Sequence, residues 1–225
     1  MSTATKLAAL LLAGAILPSQ ASVITLQGGK IPTNSSGNAT VTFQSSATAY
    51  RDTVTNLVTN STTTLGTKTL TSWNSVQDAA VFGTNSNFAW LGTIDFGVTA
   101  AQAGNWSFRA GVDFGYGGAL FLDGVALDVK STDMWWNNSY ANTSQFLAGT
   151  KTLAAGNHTL QIYGLEGCCD GGSQVQFKAA SAAGFVSFGT ADNLNVVPEP
   201  PAIAILGLGL GAMALLRTRR KGRKG

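Results

Sequence analysis

The sequence has 225 residues, with 14 Lys and Arg against 11 Asp and Glu, which gives a formal net charge of +3. The positive sign comes from the chain ends, because Lys6 and the six cations of residues 217–224 supply seven of the 14 basic residues. Residues 22–197 carry seven Lys and Arg against ten Asp and Glu, a net charge of −3 with no basic cluster. Nucleic-acid binding needs clustered cations against phosphate, and it is therefore disfavoured for the body of this chain.

Residues 1–21 show the three zones of a secretory signal. Lys6 lies in a short polar start, an apolar run follows at residues 7–17, and Ser19-Gln20-Ala21 places small side chains before a cleavage point. The apolar run is too short to span a membrane alone. The sequence predicts that signal peptidase removes residues 1–21 and that the body is exported. The alternative is a buried N-terminal helix.

The body, residues 22–196, is rich in Thr, Ser, Asn and Gly. Its low charge and its many Val, Phe, Trp and Thr residues favour strands over helices or disorder. Strands are predicted at residues 22–31, 39–43 and 88–96, and an exposed pair of strands is predicted within the Thr-rich residues 55–72. No long amphipathic helix is recognised. The predicted fold is all-β, a single antiparallel β-sandwich of jelly-roll or lectin-like type.

A hairpin is predicted at residues 120–127. Asp123-Gly124 forms its two-residue turn, where both residues can take a positive φ. The expected cross-strand pairs on one face are Leu122 with Val125 and Leu120 with Leu127. Further alternating strands are predicted at residues 158–163 and 173–178.

Four segments follow one another in this region, namely a strand, an acidic loop, a hairpin with Asp-Gly and a strand that begins after a glycine. They are residues 104–108, Val112-Asp113, residues 119–124 and residues 155–162. Together they resemble a divergent form of the protective-antigen-type lectin-like β-sandwich, over about a third of the chain. The resemblance implies a sandwich that often binds carbohydrate, in some members through Ca²⁺ held by two adjacent aspartates. Here Asp113 is followed by Phe114, so the second aspartate is missing.

Candidate ligand-binding side chains lie between residues 113 and 170. Asp113, Glu166 and Asp170 are the candidate Ca²⁺ ligands, since several oxygens must converge on one such ion. The alternatives are ordinary loop carboxylates, or two carboxylates that flank a glycosidic bond. Trp135 and Trp136 lie in a long loop beside several amides, which suits stacking on a sugar. The alternative is burial of both rings at the end of the sandwich.

Cys168 and Cys169 are the two cysteines of the chain, and they are neighbours in a glycine-rich segment, residues 167–172. Export favours oxidation, and the glycines would accept a turn closed by a disulfide between adjacent residues. Reduced or intermolecularly bonded thiols are the second reading. A zinc site with His158 is the third, although two adjacent thiolates and one histidine lack the usual ligand spacing, so no metal set is assigned with confidence.

The C-terminal residues 197–225 contain three parts in sequence. Pro198-Glu199-Pro200 lies in a stiff segment, because each proline fixes φ and removes a backbone donor. Residues 202–216 are apolar and uncharged, and as a helix they would reach about 22 Å against roughly 30 Å of hydrocarbon, which predicts a short single transmembrane helix. The basic tail should stay in the cytoplasm. Its members include Arg217, Arg219, Arg220 and Lys221.

This order of Pro-Glu-Pro, apolar span and arginine cluster resembles the PEP-CTERM sorting signal of Gram-negative bacteria, over about an eighth of the chain. The Cys-Cys-x-Gly pattern resembles a subgroup of the same proteins. The resemblance implies that the chain is anchored transiently in the inner membrane. A membrane transpeptidase, exosortase, would then cut near Pro198-Glu199-Pro200 and deliver the body to the envelope surface or the extracellular matrix.

The sequence shows one histidine, no nucleophile elbow and no phosphate-binding loop. The leading hypothesis is therefore a non-enzymatic surface or matrix protein that binds polysaccharide, without a cofactor unless calcium is used. The alternatives are a purely structural component of a matrix or biofilm and a carbohydrate-active hydrolase.

Overall fold

Strands dominate the body of the chain. The computed structural model describes residues 21–169 and 171–194; residues 1–20 of the predicted signal peptide, Asp170 and the whole predicted sorting signal lie outside the described residues. The strands, numbered in chain order, are β1 (Val23–Lys30), β2 (Thr64–Leu70), β3 (Val76–Gln77), β4 (Ser86–Val98), β5 (Gly104–Gly111), β6 (Asp113–Phe114), β7 (Gly118–Leu122), β8 (Val125–Lys130), β9 (Met134–Trp135), β10 (Phe146–Leu153), β11 (Gly156–Cys168), β12 (Gly172–Lys178) and β13 (Val186–Ser187). The helices are α1 (Ala47–Thr59), α2 (Asp78–Phe82) and a 3-10 turn at Thr143–Gln145.

The strands form two main antiparallel sheets. A six-stranded sheet has the order β2-β1-β4-β11-β7-β8, and a second sheet has the order β10-β5-β12-β13, with β3 paired to β12. A short third pair joins β6 to β9. Every one of these pairings is antiparallel. The predicted all-β architecture with antiparallel sheets is confirmed.

The main core lies between the two large sheets. Side chains alternate across a strand, so every second residue of β1 and β4 faces inward, and Ile24 and Ile94 are fully buried there. From β4, the ring of Phe96 lies 5.8 Å from that of Trp106 and 5.9 Å from that of Phe108, both on β5. These ring contacts join one sheet to the other and make the fold a sandwich.

Helix α1 was not expected from the sequence. Its buried residues, Ala47, Tyr50, Val54 and Val58, follow helical spacing along one face. That face covers apolar residues on the outer side of the six-stranded sheet, including Leu91 and Tyr163. Thr, Asn and Val are weak helix formers, so burial against the sheet, rather than intrinsic propensity, stabilises this helix. Neither α-helix of the described residues is long and apolar enough to cross a membrane.

Two predicted strand segments are wrong or partly wrong. In residues 39–43 Ala39 makes an isolated bridge to Thr33, and the rest is loop, because the backbone N–H and the hydroxyl of Thr40 both donate to Pro32 O and curl the chain back. In residues 55–72 the expected pair of strands is a helix end followed by one strand, β2.

The predicted hairpin is present with a change of register. Asp123 and Gly124 both have positive φ, as their turn requires, and Leu122 pairs with Val125. Leu120 pairs with Asp128 rather than with Leu127, because a β-bulge shifts the ladder by one residue. The shift lets Asp128 Oδ2 accept a hydrogen bond from the backbone N–H of Ala148, 3.0 Å away, which ties β8 to β10 of the other sheet.

Phe114 packs on the inner face of the six-stranded sheet, over two glycines. Gly118 on β7 and Gly164 on β11 are cross-strand partners, and neither has a side chain that would occupy the space of the ring. A Cβ at Gly164 would lie 2.1 Å from the Phe114 ring, and one at Gly118 would lie 2.7 Å from it. The Phe114 ring is fully buried and meets the edge of Trp90, with 4.9 Å between centroids. This contact fixes the position of the β6–β7 connection.

We expect Gly164→Ala to lower the free energy of unfolding by about 1–3 kcal/mol, because the added methyl group overlaps the Phe114 ring. Gly184→Ala is the matched control, since a Cβ there meets nothing within 4 Å, and its effect should stay within about 0.5 kcal/mol. Urea unfolding of the full-length protein measures both. Equal effects of the two substitutions would contradict the account of Phe114.

Candidate functional site

An open groove with a volume of about 490 Å³ lies at one end of the six-stranded sheet. The end of β1, the start of β4, the β6–β7 connection and the β11–β12 turn meet there, because antiparallel neighbours begin and end side by side. The residues that line it include Asn38, Asn87, Tyr116, Asp133, Gly167 and Cys168. Five separate segments of the chain therefore contribute to the groove.

A disulfide between adjacent cysteines forms part of one wall. Cys168 is bonded to Cys169, the peptide bond between them is cis, and both residues are exposed in the turn between β11 and β12. This confirms the vicinal disulfide over the alternatives of free thiols and zinc ligation. His158 lies at the opposite end of β11, ten residues and about 33 Å away along the strand, where its Nδ1 lies 2.7 Å from Asp123 Oδ2.

Glycines on both sides of the disulfide allow close contacts with the β6–β7 connection. A Cβ at Gly167 would lie 2.8 Å from the ring of Tyr116, and a Cβ at Gly171 would lie 2.7 Å from Asp113 Oδ2. The backbone of Tyr116 is fixed in turn, because its N–H donates to Leu165 O and its carbonyl accepts from the Tyr50 hydroxyl. The disulfide turn is thus held between two residues that flank Phe114 in the chain.

Tyr116 and the disulfide give the groove an apolar side. The ring of Tyr116 is partly buried, and Phe43 meets it edge-on with 5.9 Å between centroids. Phe43 is 45% exposed, so the apolar surface continues outward from the groove. Such a surface offers a flat face on which another ring can stack.

Amide and carboxylate groups form the polar side. The side chains of Asn38, Asn87 and Asp133 make no hydrogen bond to any other described residue, so all three are available to a ligand. Asn87 has φ +50°, which sets the direction of the chain as β4 begins. A groove with one apolar side and a few fixed polar groups is typical of a small-molecule or glycan site.

The three candidate calcium ligands are only partly brought together. Glu166 is fully buried, and its Oε2 accepts a hydrogen bond of 2.7 Å from Gly115 N–H. Asp113 reaches toward Gly171 on the other side of the turn, and Asp170 lies outside the described residues. Within the described part of the chain no three His, Cys, Asp or Glu side chains are placed to hold a metal ion. Phe114 stands where the resemblance would require a second aspartate and is buried in the core, so the described residues do not fit the calcium site of that family.

The two neighbouring tryptophans have different surroundings. Trp135 is 61% exposed on β9, opposite Asp113 of β6, and remains a candidate for stacking on a ligand. Trp136 is 4% exposed, and its ring lies over Gly111, where a Cβ would be 2.2 Å from it. Burial therefore removes Trp136 from the candidate ligand-binding residues.

The loop that follows Trp136 is fastened to the second sheet by Tyr140. Its hydroxyl donates to Gln174 O at 3.0 Å. The guanidinium of Arg109 lies 3.7 Å from the centroid of Tyr140 and 3.9 Å from that of Phe185, in a cation–π stack on both faces. Burial raises the pKa of Tyr140 to about 12, while the positive charge of Arg109 acts in the opposite direction.

No protein-family model matches the sequence, and no curated protein matches it. Solved structures do match the fold. The A domain of epithelial adhesin 6 from Candida glabrata, in complex with Galβ1-3GlcNAc, has a TM-score of 0.51 at 12% identity, over 83% of this chain and 92% of that one. The A domain of epithelial adhesin 9 from the same organism, in complex with Galβ1-4GlcNAc, has a TM-score of 0.50 at 8% identity, over 80% and 91%. A PA14 sugar-binding domain from an RTX adhesin has a TM-score of 0.49 at 13% identity, over 80% and 100%.

The likeness to the two adhesin A domains shows a shared fold, and it confirms the lectin-like β-sandwich expected from the sequence. At 12% and 8% identity it shows nothing about which residues bind. The sequence alone did not identify Tyr116, Asn38 or Asn87 as candidate binding residues. The one local signal for such a role was the aromatic side chain of Tyr116 within the glycine-rich run Gly115-Tyr116-Gly117-Gly118, just after Asp113.

We expect the stability of the protein to fall as the pH rises from 10 to about 12, because Tyr140 loses its proton near pH 10 when unfolded but only near 12 when folded. In that range the unfolded state binds fewer protons, so raising the pH favours unfolding; below it the effect is absent. Urea unfolding at a series of pH values should show a shallower decline for Tyr140→Phe. Identical declines would show that Tyr140 titrates normally.

Proposed function

We propose that the body of this chain is a carbohydrate-binding module of an exported surface protein, and that the groove at the disulfide turn is its binding site. One observation carries the proposal: an exposed disulfide, a partly buried tyrosine, two amides and a carboxylate line the same open groove on a lectin-like sandwich. This combination of apolar and polar groups matches the two chemical faces of a sugar ring.

A pyranose has an apolar face of C–H groups and a rim of hydroxyls. Stacking against Tyr116 and Cys168 would cover the C–H face, while Asn38, Asn87 and Asp133 would bond to the hydroxyls. Amides both donate and accept, and a carboxylate accepts, so together they match hydroxyl groups in either role. Because the groove is open rather than closed, it suits a residue within a glycan chain better than a free monosaccharide.

The fold supports this reading by analogy. The two adhesin domains that share it were solved with galactose-containing disaccharides bound. Those complexes concern the adhesins, and they raise the expectation of sugar binding here without identifying the sugar.

A binding role is favoured over hydrolysis. Cleavage of a glycosidic bond needs two carboxyl groups on either side of it, roughly 5–9.5 Å apart. Among the described residues that line the groove, Asp133 supplies one carboxylate, and Glu166 behind the wall accepts a hydrogen bond from Gly115.

The purely structural alternative predicts that no glycan binds.

We further propose that the protein is exported by the signal at residues 1–21 and sorted by exosortase at Pro198-Glu199-Pro200. The support is the sequence alone: a signal at one end, and Pro-Glu-Pro, an apolar run and a basic tail in order at the other. Leu194 is buried in the main core, so the folded body extends to within four residues of Pro198.

Replacing Tyr116 by Ala should weaken glycan binding about tenfold, because the stacking surface is lost. Thr93→Ala is the matched control, since Thr93 lies on the outer face of the six-stranded sheet and does not line the groove. A glycan array identifies the ligand, and calorimetry with the full-length protein compares the variants. EDTA should leave binding unchanged, because the described residues do not fit a calcium site. Full affinity in Tyr116→Ala, with its melting temperature retained, would place the site elsewhere.

Intact mass spectrometry of protein from the culture medium and envelope of its own host tests sorting. The expected species begins near Ser22, ends near Pro198 and is about 2 Da lighter than the dithiol form. A chain that retains residues 202–225 would show that the tail is a permanent anchor.

A further inference from the structure

The charges at the groove are of one sign. Asp133 lines it, and none of the residues that line it is Lys, Arg or His. Two more acidic side chains lie near the same turn and connection. Glu166 Oε1 lies 3.2 Å from the position of a Cβ at Gly115, and Asp113 Oδ2 lies 2.7 Å from that of a Cβ at Gly171. Glu166 is fully buried, so the charged side chain that a ligand in the groove would meet is Asp133.

Several basic residues of the described body are paired with carboxylates or stacked on aromatic rings. Lys130 lies 3.4 Å from Asp128, Arg51 lies 2.9 Å from Asp52, and Arg109 is stacked between two aromatic rings on the second sheet. Lys30 ends β1 at the same end of the sheet as the groove, but it is exposed to solvent and does not line it. The described residues that line the groove thus include no cation that could pair with an acidic sugar.

We infer that the groove selects glycans by charge: it prefers chains that carry free, protonated amino groups over N-acetylated chains, and it disfavours chains of uronic acids. This inference rests on the proposed function and names the ligand class of the same site. An ammonium group on a sugar can donate to the Asp133 carboxylate, a charge-assisted bond that the corresponding acetamide cannot make. A sugar carboxylate would instead face Asp133 with no cation to compensate.

The size of the preference follows from the exposure of the site. Opposite unit charges a few ångströms apart near a protein surface change an equilibrium by about five- to tenfold. Asp133 is exposed, so salt should reduce the effect, because the screening length falls from about 10 Å at 0.1 M to 3 Å at 1 M. Stacking and the amide contacts do not depend on salt in this way and would remain for the neutral chain.

Calorimetry with three oligosaccharides of equal length tests the inference: a glucosamine oligomer, an N-acetylglucosamine oligomer and a galacturonic acid oligomer. The full-length protein is titrated in mild detergent at mildly acidic pH, where the amines are protonated. We expect the glucosamine oligomer to bind about five- to tenfold more tightly than the N-acetylated one, and the uronate oligomer to bind more weakly than the N-acetylated one by a similar factor. High salt should remove most of the difference.

Asp133→Asn should abolish the preference, so that the glucosamine oligomer and the N-acetylated oligomer bind the variant with equal affinity. Asp52→Asn is the matched control, because it changes the net charge equally at an exposed position of α1 outside the groove. A preference that survives Asp133→Asn, or that Asp52→Asn removes equally, would overturn the inference, and so would equal binding of all three oligomers. If none of them binds and a glycan array also shows no ligand, the proposed function itself fails.

Discussion

The burial of Phe114 against Gly118 and Gly164 determines where the rest of the site can lie. Its ring occupies space that a single methyl group on either glycine would take, and it packs against Trp90 inside the main core. The residues on either side of it are thereby set at fixed distances from β11. Asp113 reaches the far side of the disulfide turn, and Tyr116 packs on the near side. The same burial places an apolar ring at the position where the resemblance implied a second aspartate.

The disulfide turn is the second fixed part of the groove, beside the β6–β7 connection that Phe114 holds in place. Tyr116 is held by backbone hydrogen bonds to Leu165 and to the Tyr50 hydroxyl, and its ring rests against Gly167. Helix α1 contributes Tyr50, so the helix on the outer face of the sheet also supports the groove. A surface fixed in this way loses little conformational freedom when a ligand binds, which favours affinity for a weakly interacting sugar.

Much of the sheet could be predicted from local sequence pattern. Strands β1 and β4 alternate with period two because one face of each packs in the core, and the Asp123-Gly124 turn has the backbone angles that its residue types favour. Helix α1 could not be predicted, because its residues are poor helix formers and the apolar sheet face that it covers comes from distant strands. The bulge in β8 was missed for a similar reason, since it is stabilised by a contact between Asp128 and Ala148 of another sheet.

Most of the groove had no local signature in the sequence. Its polar side combines Asn38, Asn87 and Asp133, which are separated by dozens of residues and converge only when β1, β4 and β9 are in place. The disulfide in the wall of the groove could be predicted, because each of two adjacent cysteines in an exported chain has a single intramolecular partner. Trp135 is exposed and Trp136 is buried, and the sequence of two identical neighbouring residues does not reveal this difference.

Backbone amide chemical shifts of the isotope-labelled full-length protein, titrated with the glycan that binds best, would locate the binding site. The account predicts that the largest changes occur at Gly115, Tyr116, Gly167 and Cys168, on both sides of the disulfide turn. Changes centred instead on Thr25, Thr93 and Gln161, on the outer face of the six-stranded sheet, would contradict it.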